Sequence, residues 1–266
     1  MKTILAALVV LIGLGVASMS NSKEQKHDTI VLTEDNHILF SGVVNPKSVA
    51  LAQVRLANLS ARLPDSATIY LIIDSPGGSV SAGNQFIDFA QSIPQKVKTL
   101  PIFAASMGYH MSQSFQERLA MPSSTLMSHR ASLGGVSGQI PGEIDSRLNN
   151  IRTVLNEMDQ FVADRIGIKL EQYKKDIHDE LWLTGREAVS RKHADRLVKA
   201  VCDKSLMSGT RVEEVNTIFG PVQLELSRCP LITGPLSVQF GREVTVPHET
   251  VMKEVLKVRR GFVMEF

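Results

Sequence analysis

Residues 68–73, Thr-Ile-Tyr-Leu-Ile-Ile, restrict the possible folds of this chain more than any other stretch. The run is nearly all apolar, with no alternation of polar and apolar positions. A strand written this way buries both faces, as parallel strands do when helices cover the sheet on each side. It leads directly into Asp74-Ser75-Pro76-Gly77-Gly78-Ser79, a turn, and then into a helical pattern with Phe86, Phe89, Ala90 and Ile93 on its inner face. The same rhythm repeats on either side. Upstream, Ile38–Val44 reads as a buried strand. Asn45-Pro46 then supplies a helix cap and first helical position, and Val49, Ala52, Leu56, Leu59 and Leu63 recur at helical spacing. Downstream come a strand over 97–102, a helix to about Gln116, and a strand over 124–127. A long helix over 140–166 carries Ile144, Leu148, Ile151, Leu155, Met158 and Val162, and Gly167 stops it. A short helix over 170–177, a Thr184/Glu187 capping box and a strand over 197–201 follow. This alternation predicts an α/β fold with right-handed crossovers. Ligands in such folds bind outside the carboxyl ends of the strands.

The two ends of the chain have a different character. Lys2 precedes an apolar run over 4–17, and small residues follow it, with Val16 and Ser18 at positions suited to cleavage. This pattern predicts a secretory signal peptide over 1–20. The alternatives are an uncleaved N-terminal anchor and a buried helix; the run is short against the roughly 20 apolar residues of a spanning helix. Export, periplasmic or extracellular, or membrane tethering follows from the first two readings. Residues 21–36 are polar and read as a linker, and 37–204 form the main domain. Beyond 204, Val222/Leu224/Leu226, Val238/Phe240 and Val244/Val246 alternate, and a helix over 248–258 closes the chain. Residues 205–266 thus form a β-rich module. The chain has two cysteines, Cys202 and Cys229. In an oxidising compartment they have one possible pairing; two free buried thiols are the alternative. A net charge of +2 without a basic block gives nucleic acid no footing. No C-x-x-C or His-rich spacing suggests a metal, and no pattern requires a cofactor.

Three chemically suggestive points fall at strand ends: Gly77-Gly78, Ser106 and His129. Ser106 lies in Ala104-Ala105-Ser106-Met107-Gly108, between a strand and a helix, where free backbone N–H groups favour negative charge. A serine at such a junction is also an ordinary helix cap, and the elbow of α/β-hydrolases has Gly where this chain has Ala104. A serine needs a base to take its proton, an acid to orient that base, and N–H donors for the oxyanion. His129 is the candidate base, and the backbone N–H groups of Gly78 and Met107 are the candidate donors. His110, one helical turn after Ser106, is the rival base. His27, His37, His178, His193 and His248 read as surface histidines. The glycine-rich Gly134–Gln139 loop lacks a phosphate-binding pattern and suits the lining of a peptide groove, offering a strand edge.

Taken in order, Ser75-Pro76-Gly77-Gly78-Ser79-Val80-Ser81-Ala82-Gly83, Ala104-Ala105-Ser106-Met107-Gly108, Met127-Ser128-His129 and Gly134-Gly135-Val136-Ser137-Gly138-Gln139 resemble the proteolytic subunit of the Clp protease over about residues 30–203. The resemblance implies a serine endopeptidase on the crotonase-like α/β fold, built from repeated ββα units. It implies a homo-oligomeric ring with the helix over 140–166 as the handle between rings, and peptides or unfolded proteins as substrates. The chain departs from the family's pattern in four ways. The Ser106–His129 interval is slightly short, and Arg130-Ala131 stand where the family has Gln-Pro. The signal-like segment argues against an ATP-driven unfoldase as partner, because exported compartments lack ATP. Residues 205–266 have no counterpart.

The resemblance also offers the acid. Glu187-Ala188-Val189 is similar to a family motif, and that register puts Glu180 at the acid's position, with Asp179 adjacent and Asp176 one turn away. A Ser–His dyad without an acid is the remaining option. Two other functions stay open: a signal-peptide-peptidase-like enzyme using a Ser–Lys pair, with Lys96 and Lys98 as candidates, and a catalytically silent ring subunit.

Overall fold

The computed structural model describes residues 27–135, 137–218, 220–240 and 247–260. The signal-like segment 1–20, Val136 and the expected strand at Val244/Val246 lie outside these residues. The first half contains β1 (Asp28–Leu32), β2 (His37–Ser41), α1 (Pro46–Ser60), β3 (Thr68–Ser75), α2 (Val80–Ser92), β4 (Lys96–Ala105), α3 (Met107–Gln113), β5 (Glu117–Ala120) and β6 (Thr125–Ser128). Then follow α4 (Glu143–Ile166), α5 (Leu170–Asp176), β7 (Leu181–Thr184), α6 (Gly185–Ser190), β8 (Arg196–Cys202), α7 (Lys204–Ser208), β9 (Thr210–Thr217), β10 (Gly220–Ser227), β11 (Pro235–Phe240) and α8 (His248–Arg260).

The α/β fold class holds: strands run β1-β8-β5-β4-β3-β2 in one mostly parallel sheet. β3 lies between β2 and β4 and is covered on both faces, as its composition requires. Ile69, Leu71 and Ile73 pack with Phe40 and with Val49, Ala52, Leu56, Phe86 and Ala90 of α1 and α2. Ile72 and Tyr70 face the opposite way, into a cluster with Leu32, Leu100, Leu119, Val198, Leu206 and Cys229. α1 starts where Asn45-Pro46 predicts, closed by a capping box between Asn45 and Ser48.

β4 serves two partners in succession. Lys98 and Thr99 pair with β5, whereas Phe103–Ala105 pair with β6. The sheet thus splits along β4, and the end of β6 lies beside the end of β4. β7 then adds antiparallel to β6, with Ser128 opposite Leu181.

Three expectations need correction. Residues 28–36, read as part of a linker, contain β1 and a turn; Ile30 and Leu32 are buried against β8, and a short edge strand needs little apolar sequence. β5 and β7 are real strands, each only four residues long, too short for periodicity to reveal. His193 is not a surface histidine but is 1% exposed.

α4 begins later than expected, at Glu143, and ends at Gly167 in the left-handed conformation, with φ 76°. Only Val162, Ala163 and Ile166 of α4 are buried; Ile144, Leu148, Ile151 and Leu155 are half-buried. Its apolar stripe therefore continues past the core that receives its C-terminal end.

The C-terminal module is an antiparallel sheet in the order β11-β10-β9. Val251 and Val255 of α8 pack on Val215, Val222, Leu224 and Leu226. Its register puts β9, unforeseen in the sequence, beside β10. Cys202 at the end of β8 and Cys229 after β10 form a disulfide.

Candidate active site

Ser106 connects β4 to α3 in a conformation few non-glycine residues adopt, φ 53° and ψ −119°. Such backbone strain costs about 1–3 kcal/mol. Two neighbours hold it in place. The Ser106 N–H donates to the Met127 carbonyl at 2.9 Å, and the Ser106 carbonyl accepts from the His110 N–H at 3.1 Å as α3 begins. The side chain makes no capping bond, so the plain helix-cap reading does not describe it. The kink directs Ser106 into a cleft of about 430 Å³ whose lining also includes Met107, Tyr109, His110, Ser128, His129 and Met158.

His129 follows the last residue of β6. Ala105 pairs with Met127, so the nucleophile candidate lies one residue beyond that pair on β4 and the base candidate two residues beyond it on the β6 side. Parallel pairing thus brings Ser106 and His129 to the same cleft from adjacent strand ends.

The glycine turn lies on the other side of Ser106. Gly77 has φ 93° and Gly78 φ 143°, both in the region that favours glycine. A Cβ on Gly77 would come within 2.6 Å of Ser106 Cβ and 2.7 Å of the Met107 nitrogen. The turn is thus packed directly on the Ser106–Met107 junction. The bridge from Val44 to Gly78 uses the Val44 N–H to the Gly77 carbonyl and the Ser79 N–H to the Val44 carbonyl, each 2.8 Å. It therefore leaves the Gly78 N–H outside the pairing. Met107, as the first residue of α3, has an N–H without an intrahelical partner.

The acid candidates are not at hydrogen-bonding distance from His129. Glu180 is exposed and its Oε2 accepts from Trp182 Nε1 at 2.9 Å. Asp179 pairs with His178 at 2.5 Å. Asp176 pairs with Arg191 at 3.2 Å and accepts from Gln172. The β6–β7 register ends at Ser128 opposite Leu181, so of the three acids Glu180 is the one adjacent to that last pair, as His129 is on the other strand. Glu180 has φ 69°, which turns the chain into β7 at that point.

His110 also lines the cleft, but its ring is packed edge-on against Phe161, with centroids 5.8 Å apart. Burial pushes it down to about 4, so it is a feeble base. Asp159 of α4 shares the cleft with Arg130 and Lys174. Burial raises its carboxyl, and the two cations act against that rise. Lys174 Nζ donates to Asn156 at 2.6 Å. Lys96 and Lys98 sit at the opposite end of β4 from Ser106, roughly 26–33 Å away at ~3.3 Å per residue. Gly134, Gly135 and residues 137–139 of the glycine-rich loop are exposed, and the Ser137 carbonyl accepts from Arg147.

Sequence reasoning missed Tyr109, Ser128 and Tyr173 in the cleft wall. Their only signal is a hydroxyl at a position where the surrounding pattern calls for an apolar residue. Among the described residues, no cluster of His, Cys, Asp and Glu could hold a metal ion, and no helix is long and apolar enough to cross a membrane.

The family model for Clp protease matches residues 20–200. That span contains all of the parallel sheet but the last two residues of β8, with the glycine turn and both strand ends that meet at the cleft, and the chain belongs to the Clp protease family of serine peptidases.

Proposed function

We propose that this chain is a serine endopeptidase in which Ser106 attacks a peptide carbonyl and His129 accepts and later returns the proton. The observation that carries this reading is the meeting of a strained Ser106 and His129 in one cleft, beside the glycine turn. Attack converts the carbonyl into an oxyanion. The N–H groups of Gly78 and Met107 receive it, an interaction worth about 3 kcal/mol per donor in such sites. His129 then protonates the leaving amine, and water releases the acyl group by the same steps. Glu180 orients the imidazole after its carboxylate turns from Trp182 towards His129; both residues adjoin the last pair of β6 and β7, Ser128 with Leu181. A Ser–Lys mechanism has less support: Lys96 and Lys98 are remote from Ser106, and Lys174 is engaged by Asn156.

The working form is a homo-oligomeric ring. The half-buried Ile144, Leu148, Ile151 and Leu155 stripe of α4 supports it, because a second copy would cover this apolar surface. Substrates are short or already unfolded peptides, with no unfoldase required. Export or membrane tethering through residues 4–17 fits the Cys202–Cys229 disulfide, since such bonds persist in oxidising compartments.

An activity-based fluorophosphonate tests the reading. The full-length oxidised protein should be labelled, and Ser106→Ala and His129→Ala should abolish labelling. Labelling that persists in Ser106→Ala refutes the assignment of the nucleophile.

A further inference from the structure

A line of buried polar side chains runs from the cleft wall into the interior. His193 Nδ1 and the Tyr109 hydroxyl are 2.6 Å apart, and the Tyr173 hydroxyl and Ser128 Oγ are 2.8 Å apart. Tyr109 and Tyr173 belong to one buried cluster, which brings the two pairs together. All four residues are at most 5% exposed. At its far end the line is anchored: the His193 carbonyl accepts from Gln113 at 2.9 Å, and Arg118 donates to Gln113 at 2.9 Å while bonding Asp195. Every hydroxyl thus has a partner within the protein. Four apolar residues of similar size could fill this space without any need for matched partners. Burial of a hydroxyl costs about 1–3 kcal/mol if its partner is lost.

The ends of the line lie next to the two reacting residues. Tyr109 is on α3, one turn beyond Ser106, and Ser128 immediately precedes His129. Backbone bonds between β4 and β6 fix the spacing of the two elements, but one row of bonds still permits rotation about itself. A second tie off that axis removes the rotation. Tyr173, from α5, makes that tie by holding Ser128 while it packs in the same buried cluster as Tyr109.

We propose that Tyr173 and Ser128 are positioning residues that lock the strand end bearing His129 against the helix bearing Ser106. This rests on the peptidase reading above. Neither group touches the substrate; both act by keeping the base within hydrogen-bonding reach of the nucleophile. A misplacement of ~1 Å at a reacting pair costs on the order of a hundredfold in rate.

The experiment compares Tyr173→Phe, Ser128→Ala and Ser128→Thr as full-length oxidised proteins. It measures the rate of fluorophosphonate labelling and, on a fluorogenic peptide, kcat and KM separately, with circular dichroism and melting as checks of folding. Tyr173→Phe and Ser128→Ala should each lose about 10- to 100-fold in kcat and labelling rate, with KM within twofold. Ser128→Thr, which keeps the hydroxyl, should stay within about threefold of wild type. If Tyr173→Phe does not fold, the Ser128 pair decides alone. A wild type that is labelled at Ser106, with folded Tyr173→Phe or Ser128→Ala reacting equally fast, overturns the positioning role and leaves the peptidase reading intact. A wild type that is not labelled overturns both.

Discussion

Gly77→Ala is the sharpest test of the geometry around Ser106. The new Cβ would lie 2.6 Å from the Ala105 carbonyl oxygen, 2.6 Å from Ser106 Cβ and 2.7 Å from the Met107 nitrogen. Relaxed contacts lie at about 3.4 Å or beyond, so the turn and the Ser106 junction must part by about 0.8 Å. Neither side moves freely. Ala105 is held by its pairing with Met127, and Gly77 by the Val44 N–H and the Ser75 hydroxyl. The φ of 93° adds backbone strain for any residue with a Cβ, about 1–2 kcal/mol. With overpacking of about 1–3 kcal/mol, the stability loss should be roughly 2–5 kcal/mol. Parting the junction also separates the Gly78 and Met107 N–H groups, and losing one oxyanion donor costs about 10²–10³ in kcat. The assay is the fluorophosphonate labelling rate of folded protein beside its denaturant midpoint. Gly234→Ala serves as a control, because its Cβ would meet nothing within 4 Å. If Gly77→Ala retains wild-type stability and labelling, the turn does not abut the nucleophile and the oxyanion assignment falls with it.

Three further outcomes follow from other parts of the molecule. Glu180→Gln should lower kcat by about 10²–10⁴ if Glu180 orients His129, whereas Asp179→Asn and Asp176→Asn should not; Trp182→Phe, which frees the Glu180 carboxylate, should retain or raise the rate. Burial, helped by Arg191 and Arg118 and opposed by Asp176, pushes His193 down to about 4. The unfolded chain therefore binds a proton below about 6.5 that the native state refuses. Stability is full above that pH and declines towards pH 4 by up to about 3 kcal/mol, with His110 adding in the same direction; a denaturant series at pH 7 and pH 4.5 reads it, and a flat profile refutes it. Cys229→Ser should cost about 3–4 kcal/mol for a closed interval of 27 residues, measured by denaturation with and without reductant.

The parts of this site that were legible in the sequence were those written in adjacent residues. The apolar run of β3 requires a sheet covered on both faces, the Pro76-Gly77-Gly78 turn requires unusual backbone, and Asn45-Pro46 and Thr184/Glu187 cap helices wherever they stand. The parts that were hidden depend on pairing between distant segments. β5 and β7 are strands because β4 and β6 accept them, and nothing in Glu117–Ala120 or Leu181–Thr184 has room to show a period. Tyr109, Ser128, Tyr173 and His193 come from α3, β6, α5 and the turn before β8, so no spacing along the chain relates them. For the same reason His193 read as a surface residue: only its partners, Tyr109 and Gln113, make its burial tolerable.

The same limit applies to the module after residue 204, and there the structure alters the meaning of β3. The apolar run demands a cover for each face, and the helices that follow β2 and β3 cover only one. The second cover includes Leu206 of α7 and Cys229, with Leu231 packed alongside, all from the module expected to be an appendage. The disulfide joins this cover to the last strand of the main sheet. Arg228 reinforces it by pairing with Glu34, beside β1. The two cysteines lie on the side of the sheet away from α1 and α2, where Ile72 and Leu100 would otherwise lose apolar neighbours. A strand buried on both faces and a module with its own core, Val215, Val222, Leu224, Leu226, Val251 and Val255, are thus parts of one packing solution. The module is attached where the composition of β3 leaves a face to be filled.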